Sequence, residues 1–162
     1  MKRIIDVLFN VILENILKVL GIILVIVVVI QIFARAFMAN PFLWTEELSR
    51  FLFIWYCFLG SAYVLKKKAH LSIDYFYRKH SKKTQFIIDI FIQAMSVYFG
   101  YILLRYGFKM MQLTTMQKSP VLRLQMSYMY AVLPVVGVLF IIAGVNEVIL
   151  IIKNHKKEKK TC

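Results

Sequence analysis

The apolar run from Phe51 to Leu65, closed by Lys66-Lys67-Lys68, constrains this chain more than any other feature. A helix of a water-soluble core keeps a polar stripe. This stretch is apolar and aromatic around its whole circumference, which suits a helix surrounded by lipid. The charged heptad Trp44-Thr45-Glu46-Glu47-Leu48-Ser49-Arg50 precedes it, and Ala69-His70-Leu71-Ser72-Ile73-Asp74 follows the lysines. The triple lysine is expected to stop the helix on the membrane face where cations accumulate.

Three further blocks are long enough to cross about 30 Å of hydrocarbon, which takes roughly 20 helical residues. The spans are expected near Asn15–Met38, Phe42–Leu65, Thr84–Tyr106 and Tyr128–Ile152. Lys18 and Arg35 fall near the ends of the first and snorkel outward. Of the 21 Lys and Arg, fifteen lie before the first span core, between spans two and three, or after span four. The positive-inside rule therefore places both termini and the second connection in the cytoplasm. Ala34-Arg35-Ala36 mimics a signal-cleavage site, but its apolar block is long for such a peptide and the preceding residues are themselves apolar, so a retained span is expected.

A hydrophobic content of 60% and a mean hydropathy of +0.70 leave a soluble fold too little polar surface. The net charge of +13 invites a nucleic-acid reading, yet the cations sit between hydrophobic blocks, which argues against one. Cys57 and Cys162 make no disulfide framework. The expected fold is an all-α membrane protein. It has a single membrane domain over residues 1–162, four spans and a basic tail at 153–162. An N-terminal helix and the segment Leu71–His80 are expected to lie at the inner interface; Arg3, Asp6, Asn10 and Glu14 give the former its polar stripe.

Glu46 and Glu47, after Asn40-Pro41, either make a good helix start, with Arg50 four residues beyond Glu46, or contact another protein. Small and polar stripes run along the later spans. They are Arg50, Phe53, Cys57, Gly60, Ser61 and Val64; then Asp89, Gln93, Ser96 and Gly100; then Gly137, Gly144 and Glu147. Such stripes mark packing seams, or alternatively an ion path. Lys18, Asp89 and Glu147 fall at one inner level, so Lys18 is expected to neutralise at least one of the two acids. His70, His80 and His155 all lie in basic connections, which suits no haem, and metal-ligand spacing, phosphate-binding glycine loops and a nucleophile elbow are absent. No cofactor and no enzymatic activity are expected.

The heptad, the Phe58-Leu59-Gly60-Ser61-Ala62 centre and the Ala69–Asp74 exit together resemble the small membrane subunit, or DctQ-like subunit, of tripartite ATP-independent periplasmic (TRAP) transporters. Ser119-Pro120-Val121-Leu122 and Leu133-Pro134-Val135-Val136-Gly137 are similar to that family's elements flanking the fourth span. Arg123-Leu124-Gln125 departs from it, standing where the family more often has a glycine-isoleucine-proline-like turn. The resemblance implies a bacterial inner-membrane scaffold for a sodium-coupled importer of organic acids. Its partners would be a large elevator-type membrane subunit, a periplasmic solute-binding protein and membrane lipids. Trp44, Glu46, Glu47, Arg50, Gly60, His70, Asp74, Ser119, Pro120 and Pro134 are then candidates for the partner interface. The alternative is a self-sufficient four-helix transporter of the multidrug-exporter type, which needs an acid in mid-membrane.

Overall fold

The computed structural model describes the backbone of residues 2–37, 42–77 and 82–161, and the side chains of residues 5–37, 42–67 and 87–153. Every regular element in them is helical: α1 (Lys2–Val7), a π-helical turn (Leu8–Leu13), α2 (Glu14–Phe37), α3 (Leu43–Tyr77), α4 (Lys82–Leu113), α5 (Met126–Tyr130) and α6 (Val132–Thr161). Four segments are long and apolar enough to cross a membrane: Ile5–Phe37, Leu43–Lys67, Ile87–Leu113 and Met126–Lys153. We call the end carrying Lys66 and Lys67 the basic end, and the end carrying residues 114–125 the loop end.

Helix α3 does not stop at the triple lysine. It runs 35 residues, about 52 Å at 1.5 Å per residue, well past the roughly 30 Å of a hydrocarbon core. Lysine ends the apolar run without ending the helix, because it is a good helix former and no Gly or Pro follows Gly60 before Tyr77. Residues 71–77 of the expected surface segment thus belong to α3, and the remainder, like Asn40-Pro41, lies outside the described residues. Helix α6 likewise carries the basic tail as helix to Thr161. The N-terminal residues are no separate helix either. Val7 and Glu14, which flank the π turn, both keep right-handed helical backbone, so α1 runs through into α2. The start of the fourth span is broken at Ala131, where Pro134 lacks the N–H that would bond Tyr130 and its ring crowds that carbonyl.

The spans pack as a row in the order α2, α3, α6, α4. Among the described residues α2 touches neither α4 nor α6. Helix α6 is innermost, with 44% of its apolar window buried against 11% for each of the other three. Its Val132, Val136 and Ala143 share one core with Leu59 and Ala62 of α3, and with Phe9 and Leu13, which the N-terminal helix inserts from the basic end. A single row leaves two broad apolar faces, and α2 exposes Ile22, Val25, Ile32 and Phe33.

The α4–α6 seam is made by glycine. A Cβ on Gly137 would lie 2.7 Å from Gly100 O and 2.7 Å from Leu104 N, and one on Gly100 would lie 2.9 Å from Gly137 O. A Cβ on Gly144 would lie 2.6 Å from Val97 Cγ2, and one on Gly107 would lie 2.6 Å from Leu133 Cβ. Backbones approach this closely only where side chains are missing, the usual device for joining helices in lipid. The stripes on the third and fourth spans are therefore a packing seam at Gly100, Gly137 and Gly144.

Candidate functional site

Polar side chains gather at the two ends of the row. At the loop end, Arg35 Nη2 donates to Glu46 Oε2 at 2.8 Å, and Arg50 reaches the other Glu46 oxygen at 3.5 Å. This exposed triad ties the C-terminus of α2 to the N-terminus of α3. Just inside it, Ser49 Oγ donates to Gln31 Oε1 at 3.2 Å across the same pair of helices.

Glu47 faces the other way. It is nearly buried, and its Oε2 accepts the backbone N–H groups of Val121 at 3.1 Å and Leu122 at 2.8 Å. The carboxylate thereby fixes the tip of the 114–125 loop, which is also closed by an antiparallel bridge between Lys118 and Gln125 and by Ser119 N–H to Leu124 O at 2.8 Å. Arg123 turns the chain with φ 51°, left-handed backbone that glycine adopts without strain. This is where the sequence departs from the turn expected from the family it resembles, and a glycine would meet the backbone demand without strain.

The interface candidates divide accordingly. Trp44, Glu46, Arg50 and Pro120 are exposed. Glu47 and Ser119 are turned inward, and Pro134 is pressed against Gly107 of α4. Gly60 lines a groove between α2 and α3, with Cys57 and Ser61 of its stripe exposed rather than packed on another helix. The side chains of His70 and Asp74 lie outside the described residues.

At the basic end, Lys18 does not meet the acids expected of it. It is 63% exposed and pairs with Glu14 at 2.8 Å, one turn back on its own helix. The cation beside Glu147 is Lys66, whose side chain is 5% exposed. Its Nζ stands 3.3 Å from Asp6, 3.9 Å from Glu147 and 5.8 Å from the centre of the Phe9 ring, within cation–π range. Asp89 is half-buried on α4, and Gln93 of α4 and Asn146 of α6 are buried near this level. The sequence carried a signal for Lys66. It follows Leu59 by seven and Ala62 by four, so it shares the buried face of α3.

A second cluster joins α2 to α3. Tyr63 Oη donates to Glu14 Oε2 at 2.9 Å and accepts from Lys67 Nζ at 3.0 Å. Twenty-one residues separate Glu14 from Arg35, and twenty-one separate Glu46 from Lys67. At 1.5 Å per residue both intervals are about 31 Å, the thickness of a hydrocarbon core. The two helices are thus clasped once at each end of an interval that long. No group of three or more His, Cys, Asp or Glu among the described residues is placed to hold a metal ion. The chemistry of these clusters is that of joining helices and holding one loop.

Comparison with known proteins agrees with this architecture. Residues 24–154 match the family model of the DctQ component of tripartite ATP-independent periplasmic transporters. The sialic acid TRAP transporter small permease protein SiaQ of Vibrio cholerae is 29% identical over 124 residues, 76% of this chain and 71% of that protein. The isethionate TRAP transporter permease protein DctMQ of Oleidesulfovibrio alaskensis is 32% identical over 94 residues, 57% of this chain but 15% of that protein. The sialic acid TRAP transporter permease protein SiaT of Haemophilus influenzae is 22% identical over 113 residues, 70% of this chain and 18% of that protein. With a family model covering most of its length and four apolar helices arranged in a row, the chain belongs to the DctQ component family and is a multi-pass membrane permease component of a TRAP transporter, not an enzyme.

Proposed function

We propose that this subunit is a fixed wall in a sodium-coupled importer of organic acids of the sialic acid or isethionate type. It holds a much larger membrane subunit that carries the solute after a periplasmic binding protein has delivered it. The relatives named above supply the solute class, and the family supplies the two partners. Residues 1–162 form one membrane domain of the bacterial inner membrane. The basic end, with both termini, faces the cytoplasm, a reading supported by the distribution of lysine and arginine. Trp44, Arg50 and Pro120, with Lys118 and Arg123 beside them, then form a periplasmic rim for docking.

The observation that carries this reading is the single row of spans, stiffened by the glycine seam and apolar on both broad faces. An element that slides through a membrane needs a stationary surface to slide against, and such a row provides one. The exporter reading meets a specific obstacle. All eight acidic residues stand at the ends of spans or beyond, and none lies between 15 and 45, 48 and 73, or 90 and 146. Reconstitution into liposomes separates the two. Uptake is expected only when the large subunit is present with this chain, and autonomous transport by this chain alone refutes the scaffold.

A further inference from the structure

A groove of about 500 Å³ runs between α2 and α3 near the basic end, and its lining changes character along its length. Leu17, Tyr56, Cys57, Gly60 and Val64 make one part apolar, whereas Glu14, Lys18 and Tyr63 make the other polar. Its volume falls within the roughly 300–1,000 Å³ of small-ligand pockets, but it is open along one side.

Lys67 does not line the groove, but through Tyr63 it joins Glu14 and Lys18 in a cluster that carries one positive charge in excess. Lys18 shares Glu14, while Lys67 stands 5.1 Å from the centre of the Tyr63 ring and donates to its phenol oxygen. Lys67 has no carboxylate within 4 Å among the described residues. Both ammonium groups keep N–H donors free for a further acceptor. This cluster stands about 31 Å along the helices from the Arg35–Glu46 clasp, so it lies at a hydrocarbon boundary, where lipid phosphates are found. The apolar part continues from it toward the bilayer centre. Its floor is open at Gly60, where a Cβ would meet only Leu17 Cδ2, at 3.9 Å.

We propose that this groove is a specific seat for one monoanionic glycerophospholipid of the phosphatidylglycerol type. The phosphate lies between Lys18 and Lys67, and an acyl chain runs past Gly60 toward Tyr56. One phosphate charge balances the excess of the cluster, and a chain in the groove fills space that α2 and α3 leave between them. The proposal needs the chain to span a membrane and does not depend on its acting as a scaffold.

The test places the full chain, with and without the large subunit, in phosphatidylcholine nanodiscs. Each holds a trace of either phosphatidylglycerol or phosphatidylcholine bearing a diazirine on an acyl chain. After photolysis, peptide mapping is expected to concentrate phosphatidylglycerol adducts between Tyr56 and Val64, on the order of tenfold above the phosphatidylcholine probe. The double variant Lys18→Met/Lys67→Met removes that preference. Gly60→Leu, whose Cβ meets only Leu17 Cδ2 at 3.9 Å and whose side chain extends into the groove, removes the adducts from this peptide while leaving the protein folded. Equal labelling by both probes, even labelling around the circumference of α2 and α3, or no effect of Gly60→Leu overturns the proposal. Labelling lost whenever the large subunit is present also overturns it, since the groove is then a protein contact.

Discussion

The substitution Gly137→Ala tests the α4–α6 seam most directly. Its Cβ would stand 2.7 Å from two backbone atoms of α4 where ordinary contact begins at 3.4 Å, so the helices must part by about 0.7 Å. No rotamer relieves this, because Gly100 O and Leu104 N are main chain. Overpacking of this kind costs about 1–3 kcal/mol. A gap of about 0.5–1 Å also forfeits a quarter to a half of each dispersion contact along the seam, which places the cost toward the upper end. Replacing glycine by alanine within a helix returns up to about 1 kcal/mol, leaving a net loss of about 2 kcal/mol. Gly60→Ala is the control: its methyl makes only an ordinary contact, with Leu17 Cδ2 at 3.9 Å, so the helix gain of about 1 kcal/mol remains. The two variants should therefore differ by about 3 kcal/mol. Thermal unfolding in one detergent, followed by tryptophan fluorescence, should rank Gly137→Ala below the parent and Gly60→Ala at or above it. Since Gly100 and Gly137 face the same gap, Gly100→Ala/Gly137→Ala should cost less than the two singles together. A Gly137→Ala protein that melts with Gly60→Ala would refute the seam.

Three other perturbations follow from buried or strained groups. Lys66→Met withdraws a buried cation from Asp6 and Glu147, and Lys66→Met/Glu147→Leu removes the buried carboxylate with it, so the single variant should be the less stable of the two; protein level and melting temperature distinguish them. Glu47→Ala removes the acceptor of two loop N–H groups at about 1–3 kcal/mol each, and is expected to speed hydrogen exchange at Val121 and Leu122 and proteolysis of the 114–125 loop. Arg123→Gly relieves positive φ and should raise the melting temperature of the isolated chain by the equivalent of up to about 1 kcal/mol.

Local features of the sequence announced the spans, because apolar length is read directly against bilayer thickness. They also marked Gly100, Gly137 and Gly144 as seam positions, because these lack the side chains that would hold helices apart, without saying which helices meet there. Lys66 was harder. Grouped with Lys67 and Lys68 it reads as a membrane stop, but its spacing from Leu59 and Ala62 puts it inside, where Asp6 and Glu147 receive it. Lys18 illustrates the converse. Counting residues from the span ends puts it level with Asp89 and Glu147, but Glu147 gathers with Lys66 and Asp6, twelve residues before Lys18 on the same continuous helix, and Glu14 one turn back is the acid that Lys18 meets. Helix order was not legible at all. The small-residue stripe of α3 has the same spacing as a packing seam, but its Cys57 and Ser61 face outward, because which stripe meets which helix depends on the row as a whole.

That row has one weakly attached member. Helix α2 packs along α3 alone, and apart from the Gln31–Ser49 hydrogen bond its polar ties to α3 stand at the two ends, about 31 Å apart. Ties at the ends of a lever resist pivoting far better than equal ties at its middle, even though an exposed ion pair contributes only about 0.2–1 kcal/mol to stability. Glu46→Gln, which weakens the loop-end tie, should therefore leave the melting temperature almost unchanged while freeing α2 to pivot on the Glu14–Tyr63 clasp. Spin labels across α2 and α3 should then show a broadened distance distribution at the loop end and an unaltered one at the basic end. Equal broadening at both ends, or none at either, would mean that apolar packing and not the clasps fixes the angle between these helices.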